Sequence, residues 1–151
     1  RPPRSTLFPY TTLFRSQAGI SYIRSVASDY DISPEFFQEN DIHVHIPEGA
    51  VPKDGPSAGI TMATAMLSAI IGREVRADVA MTGEITLRGH VLPIGGLKEK
   101  LLAAKYAKIR QVLVPKQNKP DIQEMDDEIL DGLKISFVEN MNEVLHEALA
   151  N

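Results

Sequence analysis

The chain has 151 residues, 43% of them hydrophobic and 24% charged, with a formal charge of −4, no cysteine and no tryptophan. An apolar fraction of that size sustains a core, which sets disorder aside, and no apolar run approaches the roughly 20 residues of a membrane-spanning helix. Without cysteine there is no disulfide, thiolate metal site or thiol nucleophile, and the negative balance opposes a dedicated nucleic-acid surface; the expectation is a soluble intracellular domain whose nucleophile, if it has one, is an oxygen or an amine.

Residues 1–16, RPPRSTLFPYTTLFRS, stand apart from the rest. They repeat Thr-Leu-Phe and hold Phe8, Tyr10 and Phe14, three prolines and three arginines, but no acid. Such a break reads as a non-native or artefactual leader, and 17–151 as the domain proper. A transit peptide is the alternative, opposed by three prolines within nine residues. Setting the three arginines aside takes the charge from −4 to −7.

Gln17 to Tyr30 carries Ile20, Ile23, Ala27 and Tyr30 at helical spacing. Ser33-Pro34-Glu35 is a turn, and Ile42-His43-Val44-His45-Ile46 alternates as a strand does. Residues 47–56, PEGAVPKDGP, with three prolines and two glycines, read as a loop. A helix from Ser57 to Ile71 is apolar almost all round and so is expected to be buried. Val75 to Thr82 reads as a strand and Ile85 to Leu92 as a hairpin or a turn between strands; Gly95-Gly96 precedes a helix from Leu97 to about Lys108. A short strand Val112–Val114 closed by Pro115, a helical turn around Asp121 to Met125, a strand Ile135–Val138 and a helix Met141–Ala150 complete the series. Interleaved helices and short strands define an α/β (α+β) domain. No phosphate-loop or dinucleotide-binding glycine pattern is present, so nucleotide chemistry would belong to another domain.

Ser57 is the first candidate for chemistry. It lies between Gly55-Pro56 and Ala58-Gly59 at the mouth of an apolar helix. Unpaired backbone N–H groups there favour a developing oxyanion, and small neighbours admit a substrate backbone. The ordinary structural reading is that Ser57 caps the helix. His43 and His45, two residues apart, share a strand face and have metal-ligand spacing. No third ligand is nearby, so a structural pair is the simpler reading and no metal site is expected.

Lysine is the better base. On the helix from Leu97, the residues Leu97, Leu101 and Ala104 define an apolar face. Lys100 falls about 60° from Leu97, beside Ala104 and Ala107, whereas Lys98 lies toward solvent. Desolvation lowers a lysine's pKa toward the range in which it accepts a proton from serine. The ordinary alternative is that Lys100 snorkels outward or pairs with Glu99 or Glu84. Thr82, where a strand ends at Gly83, is placed to hold the lysine amine or simply to form a turn.

Four stretches carry a resemblance: His43–Ala50 (HVHIPEGA), Pro52–Gly59 (PKDGPSAG), Met81–Gly89 (MTGEITLRG) and Leu92–Ala104 (LPIGGLKEKLLAA). Their wording and order resemble the proteolytic domain of the Lon protease family, of the bacterial and mitochondrial subtype, from about Gln17 to the C-terminus. The resemblance implies an ATP-dependent serine endopeptidase acting through a Ser–Lys dyad, with Ser57 as nucleophile, Lys100 as base and the backbone N–H groups of Ser57 and Ala58 as oxyanion donors. It implies supporting roles for Thr82, Asp54, His43 and His45. It further implies unfolded, damaged and short-lived regulatory proteins as substrates, a homohexamer, and a cytoplasmic location, or the mitochondrial matrix. ATP and Mg2+ would sit on an ATPase domain upstream of this sequence, as would the first strands of the peptidase domain; no cofactor is expected in this chain, and neither DNA nor a membrane is indicated as a partner. Two other readings compete: an inactive truncated fragment, and a phosphate-binding module using the glycine- and serine-rich helix mouth with Lys53 close by.

Overall fold

A computed structural model of the chain describes residues 10–45 and 57–151. The helices are α1 (Tyr10–Val26), α2 (Phe36–Glu39), α3 (Gly59–Ile71), α4 (Leu97–Tyr106), α5 (Lys119–Gln123), α6 (Asp127–Leu130) and α7 (Met141–Ala148). The strands are β1 (Val79–Met81), β2 (Glu84–Ile85), β3 (Val91–Leu92), β4 (Gln111–Pro115) and β5 (Lys134–Val138). β1, β4 and β5 form a parallel sheet in that order, and β2 and β3 form an antiparallel hairpin. The chain is thus mixed α/β, as its interleaved pattern predicts. No helix among the described residues is long and apolar enough to cross a membrane.

The centre of the molecule is β4. Val79 to Met81 lie in register with Gln111 to Leu113, and Gln111 to Pro115 with Lys134 to Val138. All five residues of β4 are buried, which is why it reads as a continuous apolar run rather than an alternating one. Its side chains still alternate. Leu113 joins a large cluster built from α1, α3, the hairpin and α7, including Ile23, Ile60, Leu67 and Met141. Val112 and Val114 join a smaller one with Leu97, Leu101, Ala104 and Ile129 from α4 and α6. The sheet therefore separates two unequal cores.

Several boundaries differ from the sequence pattern. The first helix begins at Tyr10 rather than Gln17 and gives way to a 3-10 turn at Ala27–Tyr30, ended by Asp31 in the left-handed region. The short helix α2 follows the Ser33–Glu35 turn without a periodic signal of its own. Residues 41–45 pair with none of the described strands, and Ile46 lies outside the described residues. Their alternation survives as burial: Ile42 and Val44 are half-buried against the larger core, and His43 and His45 are exposed. The expected strand from Val75 is shortened to β1, with Val75 making a lone antiparallel bridge to Leu149. The expected loop 47–56, with Asp54 and Lys53, lies outside the described residues.

Candidate functional site

The turn after β1 fixes the start of α3. Gly83 N donates to Ser57 O at 2.9 Å, and Ile60 N donates to Gly83 O at 3.1 Å. Thr82 N in turn donates to Leu113 O at 3.1 Å, so the turn hangs from the central strand. Close packing leaves no room for a side chain at either glycine, against backbone at Gly59 and against the Val91 side chain at Gly83. A Cβ on Gly59 would lie 2.8 Å from Ile85 N, and one on Gly83 would lie 2.8 Å from Val91 Cγ1. The alternative reading of Ser57 as the helix cap is therefore not the one the structure takes. Ala58 occupies that position, without a side-chain hydrogen bond, and Ser57 sits one residue earlier in a turn. Among the described residues no backbone acceptor takes the N–H of Ser57 or Ala58.

Lys100 comes from the other face of the sheet. Leu97, Leu101 and Ala104 of α4 are buried and Lys98 is exposed, while Lys100 is half-buried at the edge of that stripe. Ala107, expected to flank it, is exposed because α4 ends at Tyr106. The Lys100 amine donates to Gly95 O at 3.2 Å. Glu99 and Glu84, its possible ionic partners in the sequence, form no salt bridge with it. Burial holds Lys100 below the ordinary lysine range, since charge is disfavoured where water is removed.

One hollow of about 260 Å³ joins these parts. Ser57, Ala58 and Thr61 line it from the start of α3, Ala80 to Thr82 from the end of β1, Lys100 and Ala104 from α4, and Val112 from β4. Among the described residues β1 is an edge strand, so α3 on one face and α4 on the other can both reach around it. The Thr82 hydroxyl is buried here with no hydrogen-bond partner among the described residues. Buried hydroxyls are ordinarily paired, so an unpaired one in a hollow marks a place where a partner arrives.

The histidines are elsewhere. His43 and His45 line a second, larger hollow of about 530 Å³ with Asp41 and the exposed side of α3, and only Thr61 is common to both. No cluster of three metal-ligating side chains occurs among the described residues. Sequence reasoning missed the Gly95 carbonyl and the close approach of Gly59 and Gly83. The glycines were visible in Gly-Pro-Ser-Ala-Gly and Met-Thr-Gly-Glu, but their partners are distant in the chain.

A serine and a half-buried lysine in one hollow are the residue types of a nucleophile and a base. The comparisons with known proteins make the family explicit. Residues 14–151 match the family described as Lon protease (S16) C-terminal proteolytic domain. A Lon protease of Lachnoclostridium phytofermentans is 67% identical over 134 residues, covering 89% of this chain and 17% of that protein. Those of Nitratidesulfovibrio vulgaris and Clostridioides difficile are 60% and 58% identical over 134 residues, each covering 89% of this chain and 16% and 17% of theirs. The chain belongs to the Lon protease family, within its proteolytic domain, a serine peptidase domain. It spans about a sixth of the length of the relatives it matches.

Proposed function

We propose that this chain hydrolyses peptide bonds with Ser57 as nucleophile and Lys100 as general base. The observation that carries the reading is the single hollow lined by Ser57, Thr82 and Lys100. A lysine held below its ordinary range has a larger neutral fraction, and its lone pair can take the Ser57 hydroxyl proton as Oγ bonds to the scissile carbonyl carbon. The backbone N–H groups of Ser57 and Ala58 stabilise the oxyanion. The C–N bond then breaks, the leaving amine takes the proton from Lys100, and an acyl-enzyme remains. Water attacks the ester while Lys100 takes its proton and returns it to Ser57. The Thr82 hydroxyl supplies a hydrogen bond to the lysine amine during the cycle.

Family membership favours this reading over a phosphate cradle, and Lys100 is the only cation among the described residues lining the hollow. We also propose the wider role that accompanies the family: ATP-dependent degradation of unfolded, damaged and short-lived regulatory proteins by a homohexamer in the cytoplasm. ATP and Mg2+ would be held by an ATPase domain outside this chain. Bacterial Lon proteases among the relatives support that setting.

Cleavage of a fluorogenic peptide tests the dyad. Ser57→Ala and Lys100→Ala should each lower turnover by about a thousandfold or more, with circular dichroism unchanged. Normal turnover by either variant would sink the dyad, and no turnover by the unaltered chain would identify an inactive fragment.

A further inference from the structure

The lysine's acceptor, Gly95, belongs to a segment that packs through Ile94 against the smaller core. Among the described residues, however, no backbone–backbone hydrogen bond orients Pro93, Ile94 or Gly95. Gly95 and Gly96 are exposed, and Gly96 turns into α4 in the left-handed region with φ 67°. A double-glycine turn has many conformations available, so something else must select one.

That selection comes from Asn118. It ends the 3-10 turn Lys116–Asn118, directly after β4, and is 3% exposed. Its Oδ1 accepts from Ile94 N at 2.9 Å and its Nδ2 donates to Ile94 O at 2.8 Å. The amide thus acts on Ile94 as a neighbouring strand residue would, satisfying both backbone groups at once. The same Nδ2 donates to Asp121 Oδ2 at 2.8 Å, which fixes the orientation of the amide. The chain of contacts is continuous: β4 carries Asn118, Asn118 holds Ile94, and the next residue presents its carbonyl to Lys100.

We propose that Asn118 is a positioning residue for the base, holding the 93–96 turn so that the Gly95 carbonyl keeps the Lys100 amine inside the hollow. The proposal rests on the reading of Lys100 as the base. A neutral amine has two N–H donors and one lone pair; a fixed carbonyl that takes one N–H restricts where the lone pair points. If the turn is released, the amine loses its anchor and swings toward water. None of the other described residues that line the hollow, from α3, β1, α4 or β4, is ionisable in the lysine range. The charge state of Lys100 therefore follows its own hydration, and leaving the hollow raises its pKa toward that of an exposed lysine.

The test follows Lys100 directly, so it does not depend on turnover. The 151-residue chain is labelled with 13C at lysine Cε, the Lys100 signal is assigned by its loss in Lys100→Arg, and its pH titration is recorded. Asn118→Leu, similar in shape and without charge, should raise the Lys100 midpoint. Peptide cleavage near neutral pH should fall on the order of tenfold in kcat with KM little changed, the signature of a misplaced catalytic group. Should Asn118→Leu not fold, Asp121→Ala, at an exposed position, frees the amide and should raise the midpoint less. Removing that carboxylate alone would lower a lysine's pKa, so a rise cannot come from its charge. Arg76→Met is the control. It removes hydrogen bonds to Gln111, Asp78 and the Glu147 carbonyl at the opposite end of β4, and should leave the Lys100 midpoint in place. An unchanged midpoint in the Asn118 and Asp121 variants, or an equal movement in Arg76→Met, would overturn the proposal. Full cleavage by Lys100→Ala would instead overturn the role of Lys100 as base, whatever the titrations show.

Discussion

The serine and lysine halves of the site are held by different means. Ser57 is fixed through main chain: its carbonyl accepts from Gly83 N, Ile60 N donates to Gly83 O, the approach at Gly59 admits no Cβ, and the larger core lies beneath α3. Lys100 stands on α4 over the smaller core, and its amine is directed by a carbonyl whose turn is held by the side chains of Asn118 and Ile94 rather than by main-chain bonds. The difference suits the chemistry. A nucleophile must sit beside its oxyanion donors, and both are parts of one backbone segment, so backbone is the natural means of fixing them. A base must exchange protons and keep its hydration low, which requires a long side chain in a chosen rotamer.

The largest effect should come from the smaller core. Leu101 is fully buried there, and Leu101→Ala should cost about 2–5 kcal/mol in urea unfolding, with α4 and the lysine loosened together. On the serine side, Gly59→Ala places a methyl 2.8 Å from a backbone nitrogen that cannot step aside. It should cost roughly 1–3 kcal/mol and lower kcat, because the only relief is to move α3 away from the Gly83 turn. Equal losses of activity per unit of stability in the two variants would erase the distinction between the halves.

The smallest effect is on the pH dependence of stability. The folded pKa of Lys100 is lowered, so between it and the ordinary lysine value the unfolded chain binds more protons. Stability should therefore rise with pH through that window, and Lys100→Met should flatten the rise. Tyr22 works in the opposite sense. Burial raises its phenol from 10.0 to about 12, so its contribution is complete below pH 10 and declines above it. Thermal melts across alkaline pH, with Tyr22→Phe alongside, separate the two.

Much of this arrangement was legible in residue order. Leu97, Leu101 and Ala104 at helical spacing singled out Lys100 over Lys98, and small residues around Ser57 marked a helix mouth open to a ligand. The order of elements after Ser57 also followed from pattern, apart from α6, which no periodicity announced. What pattern could not supply was partnership across the chain. The Ile42–Ile46 alternation is a property of one segment, whereas a strand needs a partner in register, and residues 41–45 pair with none of the described strands. Ser57 had the composition of a cap, but the bonds to Gly83 start the helix two residues later. Asn118 carried no signal at all, because a buried amide between lysines looks like any loop asparagine until Ile94 is brought beside it.

The alternation of β4 has a kinetic corollary. Leu113 faces the core that supports the serine, and Val112 and Val114 face the core that supports the lysine. Fluctuations that separated the two halves would have to unzip this strand from both neighbours and open two cores at once. Local openings of that kind approach the free energy of global unfolding. The lifetime of the arrangement of the two backbones is thus tied to the lifetime of the fold, and what can change within it is the lysine side chain and the 93–96 turn that directs it.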